Sequence, residues 1–195
     1  MSNTLAEELL ARLQGEPMQQ ISQQVGADPQ QTTGAIGAAL PLLLAALGRN
    51  AAQPGGADAL FGALQRDHGG TDAEGALSAA LAGNRSDGGN ILGHVFGDNL
   101  TRAEAGLGQV TGLGSGSAGT LLRLLAPAVL AFLARRVSQN GLNSGDLGQT
   151  LGHEREEAAR HHGGLLGAVL DRDGDGQVDL GDLLKAGKDF LGGRG

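Results

Sequence analysis

Five aspartates close to the C-terminal end, Asp171, Asp173, Asp175, Asp179 and Asp182, occupy places one, three, five, nine and twelve of a twelve-residue stretch. That spacing is a coordination pattern. Alternate residues of a tight loop aim their side chains at one point, and a hard divalent cation stripped of water takes roughly six to eight oxygens. Gln177, in place seven, would add its backbone carbonyl, and Asp179 would act directly or through a water. Gly176 stands in place six, where the chain must turn sharply, often through dihedrals that a Cβ disfavours. The expected ligands are therefore Asp171, Asp173, Asp175, Gln177, Asp179 and Asp182, and the expected ion is calcium. Without a cation these carboxylates would repel one another at close range. The alternative is an acidic Asp-Gly turn that ends a helix and holds nothing.

This stretch resembles the loop of an EF-hand, with one departure. Place twelve carries Asp182 where the EF-hand has a glutamate that grips the ion through both carboxylate oxygens. Aspartate is one methylene shorter. Either one oxygen is lost, with weaker preference for calcium over magnesium, or the exiting helix starts closer to the ion, as in the dockerin loops that the segment also resembles. The expected affinity is weak to moderate, roughly 10⁻⁵ to 10⁻³ M. Dockerins and paired EF-hands carry two loops, and this sequence carries one. Val178, at the place that makes a short β contact between paired loops, would pack on the body of the protein or pair across a dimer.

A second constellation is weaker. His153, Glu157 and His161 are spaced by four, which aligns them along one helix face with His162 beside them, and imidazole plus carboxylate can hold a transition metal. The plainer reading is a solvated charged helix, because Glu154, Arg155, Glu156 and Arg160 surround them. His94, in a Gly-rich apolar segment, is expected to be packed or partly buried rather than catalytic. The run Gly114 to Gly119 spells G-x-G-x-x-G, but the segment before it looks helical and no acidic residue follows about twenty residues on to hold a ribose. It reads as a turn between helices. Residues 18–36 have the outline of a helix-turn-helix, yet Pro29, Gln30, Gln31, Thr32 and Thr33 bring no cation to a phosphate. No serine, histidine and carboxylate form a nucleophilic motif, and there is no cysteine to replace the serine.

The elements that must position these groups are helices. At 195 residues the chain can bury a sizeable core, and its net charge of −7 with a pI near 5.1 disfavours a nucleic-acid partner. Glycine is 36 of 195 residues, against a usual share of about 7%. With four phenylalanines as the only aromatics, the core must be built from Leu, Ala, Val and Ile. Strand alternation is nearly absent, whereas helix start and stop signals are frequent. Thr4 with Glu7, Asp28 with Gln31, Thr71 with Glu74 and Thr101 with Glu104 have capping-box spacing. Helices are expected over 5–14, 17–25, 29–48, 57–67, 72–82, 101–111, 118–138 and 145–162, with short ones on either side of the acidic loop, the exiting one spanning 183–191.

The sequence also repeats itself. Sliding it 86 places, the distance from Pro41 to Pro127, lays Gly26 on Gly112, Leu44 on Leu130, Leu47 on Leu133, Arg49 on Arg135, Gln53 on Gln139 and Gly55 on Gly141. A further echo pairs Ile91 to Phe96 with Leu165 to Leu170. The expected architecture is all-α: a first helical half over 1–97, a second over 98–170, and the acidic loop with its exiting helix over 171–195. Pro41 and Pro127 fall inside the longest apolar helices, where each predicts a bend or a junction between two helices. The expected core is Ile36, Leu40, Leu43, Leu44 and Leu47 in one half, and Leu121, Leu125, Val129, Phe132 and Leu133 in the other. Thr32 to Gly48, the most membrane-like stretch, falls just short of the ~18 apolar residues of a span and is expected to be a buried core helix. Residues 1–15 do not read as a signal peptide, so the expected location is cytoplasmic.

Three segments carry a family resemblance: Ile91-Leu92-Gly93-His94-Val95-Phe96-Gly97, Leu124-Leu125-Ala126-Pro127-Ala128-Val129-Leu130, and Gly164-Leu165-Leu166 leading to Leu170-Asp171-Arg172-Asp173-Gly174-Asp175-Gly176. Together they resemble the bacterial YidB-like family, a domain of unknown function, from about residue 17 to 190. The resemblance implies an all-helical bacterial protein and carries no reaction or catalytic residue. The functional expectation is a non-enzymatic calcium-binding interaction protein, with a homo-oligomer or a protein as partner. Its competitors are a calcium-independent helical scaffold that assembles with itself and a metal-dependent enzyme using His153, Glu157 and His161.

Overall fold

The computed structural model describes residues 4–67, 70–83 and 85–170, of which 67, 85, 86 and 162–170 as backbone. In chain order the helices are α1 (Leu5–Arg12), α2 (Glu16–Val25), α3 (Pro29–Ala51), α4 (Gly56–Asp67), α5 (Ala73–Leu81), α6 (Arg85–Phe96), α7 (Leu100–Thr111), α8 (Ser115–Asn140) and α9 (Ser144–Leu170), with one 3-10 turn at Gly97–Asn99. No strand occurs among the described residues.

Local chemistry sets most of the ends. Thr4 Oγ1 accepts the N–H of Glu7 at 3.2 Å while the Glu7 carboxylate accepts the N–H of Thr4 at 3.1 Å, so α1 opens on a full capping box. Asp28 caps α3 by accepting from the N–H groups of Gln30 and Gln31, both at 2.9 Å, with Pro29 in the first helical position. Gln31 does not complete that box; its amide donates instead to the Thr111 carbonyl at 3.3 Å, tying α3 to the end of α7. Two further expected boxes do not form. The cap of α5 is Asp72, one residue beyond Thr71, and α7 begins at Leu100 with no side-chain cap. A reciprocal pair not among those expected opens α9, where Asn143 and Asp146 each accept the other's N–H, at 3.0 and 3.1 Å. Gly26 and Gly112 end α2 and α7 at φ 69° and 71°, a left-handed conformation that costs glycine little.

Helices α3 and α8 each continue through Pro41 and Pro127 rather than dividing there. Each proline removes one backbone hydrogen bond, and burial on almost every side of the helix holds the turn together. All ten residues expected in the core are buried, from Ile36 to Leu47 on α3 and from Leu121 to Leu133 on α8. The two helices touch, and the rest wrap them. α1, α2 and α9 pack on α3, while α5, α6 and α7 pack on α8. The result is one continuous hydrophobic cluster reaching from Leu5 to Ala158. Both long helices are apolar enough to cross a membrane by length and composition, and 72% and 83% of their apolar windows are buried inside the protein.

The main departures from expectation are α6 and α9. Residues 91–96, read as a short Gly-rich apolar segment, are the second half of a helix that starts at Arg85, and 163–170 form the last turns of α9 rather than a separate short helix. Two glycines, Gly88 on α6 and Gly48 on α3, let their helices pack closely. A Cβ at Gly88 would run into the backbone carbonyl of Arg123, and one at Gly48 would lie 2.6 Å from the Leu151 carbonyl, so α6 meets α8 and α3 meets α9 at near backbone contact.

Candidate functional site

Of the acidic loop, the structure describes the way in. α9 continues to Leu170, the residue before Asp171, so a helix leads directly to the first expected ligand. Asp171, Asp173, Asp175, Gln177, Asp179 and Asp182 lie outside the described residues.

Further back on α9, His153, Glu157 and His161 do share one side of the helix but do not form a ligand set. His153 is exposed. Glu157 pairs with Arg160, which also reaches Glu156 at 3.9 Å, and His161 Nε2 lies 3.7 Å from the second oxygen of Glu157. Among the described residues no three His, Asp or Glu side chains converge to hold a metal. Within the stripe Glu157 is the inner member, its side chain 22% exposed against 72% for His161.

The chemically unusual residue is the neighbour that was read as part of the solvated charge. Glu154 is 7% exposed. Its Oε1 accepts the backbone N–H of Leu5 at 2.8 Å, at the start of α1. A signal for this was present: Leu147, Leu151, Glu154 and Ala158 are spaced four, three and four apart, the seam of a packed helix, and all four are buried. Glutamate in that seam faces the protein, and a buried carboxylate requires donors.

Glu154 lines a cavity of about 200 Å³ where α1, α3 and α9 meet. α1 supplies Thr4 and Glu7, α3 supplies Gly37 and Pro41, and α9 supplies Glu157 and His161 beside Glu154. Because Pro41 has no N–H, the Gly37 carbonyl four residues before it lacks its helical donor. Both residues are on the cavity wall. The same vacancy recurs in α8, where Pro127 frees the carbonyl of Arg123, but there Gly88 of α6 closes over it.

The remaining motifs resolve into packing. Gly114 precedes the first residue of α8, and Gly116 and Gly119 lie within the helix. A Cβ on Gly119 would sit 2.6 Å from the Glu104 carboxylate, which is 3.4 Å from the Arg123 guanidinium, so the glycine makes room for an ion pair between α7 and α8. Thr32, in the outlined recognition helix, is fully buried, and Gln31 is held by α7. His94 is exposed, contrary to expectation, because α6 turns Leu92, Val95 and Phe96 inward. Its contribution is the backbone: the carbonyls of His94 and Val95 accept from the Asn50 amide at 3.2 and 3.0 Å.

A family model described as a bacterial protein of unknown function, DUF937, matches residues 7–136. The match covers the segments 91–97 and 124–130 and ends before α9 and the acidic loop. No curated protein and no solved structure gives a significant match.

Proposed function

Given that the chain belongs to the DUF937 family of bacterial proteins, the YidB-like proteins of unknown function, we propose that it is a non-enzymatic calcium-binding protein that captures a partner through its C-terminal segment. The observation that carries the reading is the register of five aspartates and Gly176 over 171–182. It is supported by α9, which arrives at Leu170 in the position of an entering helix. A cation there would neutralise part of the carboxylate cluster and fix residues 183–191 against the body, giving either a structural staple or a switch.

We further propose that the body is a duplicated helical unit. Matched left-handed glycines at Gly26 and Gly112, at φ 69° and 71°, and again at Gly55 and Gly141, at φ 73° and 60°, support this. So does reciprocal packing, in which α2 touches α8 as α7 touches α3. On this reading α3 and α8 are core helices, and the protein acts in the cytoplasm. The test of the calcium reading is calorimetric titration of calcium into chelator-treated protein. One site per chain is expected, and loss of that heat in Asp171→Ala assigns it to the loop.

A further inference from the structure

We propose that the cavity between α1, α3 and α9 is a binding site for a primary alkylammonium group, seated on the Glu154 carboxylate.

The argument starts from unfilled acceptors. Glu154 is more than nine-tenths buried, and one of its oxygens takes the Leu5 N–H at 2.8 Å. No described residue donates to the other oxygen. Leaving a buried carboxylate oxygen without a donor is costly, so this oxygen favours whatever enters the cavity bringing N–H or O–H groups. A second acceptor belongs to a residue across the same cavity: Gly37, whose carbonyl loses its helical donor to Pro41. In α8 the equivalent carbonyl is closed over by Gly88, so an open carbonyl is not an obligatory result of placing proline there.

The remaining wall chemistry selects the ligand. Glu7 and Glu157 add negative charge, and among the described residues no lysine or arginine lines the cavity to answer it. Glu7 is already engaged by the Thr4 N–H, and Glu157 by Arg160 and His161. Buried Glu154 is therefore the carboxylate with a vacancy. Ala6, Leu10 and Ala158 make much of the rest apolar. A divalent metal would need several oxygen or nitrogen ligands around one point, and no such group of three exists among the described residues. An ammonium on a short hydrocarbon stem fits better. Its three donors can serve Glu154 and the Gly37 carbonyl, and its stem lies on the apolar wall. A free aliphatic diamine and the lysine side chain of a peptide share this chemistry.

The experiment is calorimetric titration of the full chain with butylamine, 1,4-diaminobutane and the N-acetylated, C-amidated tripeptide Gly-Lys-Gly, with Glu154→Gln and Ala158→Met titrated beside it so that any heat from amines at the acidic loop, which both variants retain, is subtracted. Saturable binding of an amine at one site per chain is expected, weakened at least about tenfold in Glu154→Gln, with no binding of 1-butanol. Tighter binding of the diamine assigns a free amine, and tighter binding of the tripeptide assigns a lysyl side chain. Ala158→Met, which fills the cavity and leaves Glu154 in place, should also abolish binding while retaining the helical circular dichroism of the parent. No saturable heat up to about 20 mM amine, undiminished binding in both variants, or equal binding of 1-butanol would overturn the proposal.

Discussion

Glu154 of α9 and Leu5 of α1, separated by 149 positions, are joined by a buried hydrogen bond of 2.8 Å from backbone N–H to carboxylate oxygen. The bond places a negative charge at the first free N–H of a short helix, where the helix dipole favours it. It also closes the body of the protein, since α1 packs on α3 and α3 packs along α9. Replacing Glu154 with alanine orphans that N–H. The expected cost is about 1–3 kcal/mol, measured by urea unfolding, with Glu156→Ala on the exposed face changing stability by less than about 0.5 kcal/mol. Equal effects of the two substitutions would contradict the buried role of Glu154.

Two glycines of α6 predict opposite signs. Gly88→Ala drives a methyl into the Arg123 carbonyl and must push α6 off α8, at a cost of about 1–3 kcal/mol. Gly93→Ala meets nothing within 4 Å and replaces a poor helix former with the best one, for a gain of about 0.5–1 kcal/mol. Thermal unfolding of both variants checks the contrast. A loss of stability in Gly93→Ala would show that α6 does not form as described.

The matched caps supply a third test. Gly26 and Gly112 hold φ of 69° and 71°, so alanine at either should cost about 1–2 kcal/mol. Under a duplicated architecture the two losses should be similar and should add in the double variant, since they act on separate helices. Equilibrium unfolding of the three variants measures this, and a negligible cost at one site would remove the equivalence.

Much of the fold was legible because capping and core periodicity are local. Asp28 with Pro29 marks the start of α3, Gly26 the end of α2, and the run from Ile36 to Leu47 its buried helix. What escaped the sequence was set by contacts between helices. α6 fell outside the expected helices because Gly88, Gly89 and Gly93 weaken its intrinsic propensity, yet Gly88 is what lets that helix seat on α8. Glu154 was hidden among charged neighbours, and only its place in the seam of Leu147, Leu151 and Ala158 separates it from them. The His153, Glu157 and His161 stripe shows the converse: the spacing was right for one face, but Arg160 draws Glu157 into an ion pair. The acidic loop remains legible through its own register alone, because its residues lie outside those described.

The central claim, that residues 171–182 bind calcium, is tested most directly by calcium titration of the chelator-treated chain beside its Asp171→Ala variant. The account predicts one saturable site with a dissociation constant of roughly 10⁻⁵ to 10⁻³ M, absent from the variant. No heat up to several millimolar calcium, or the same heat from both proteins, would contradict it and leave the loop an acidic turn.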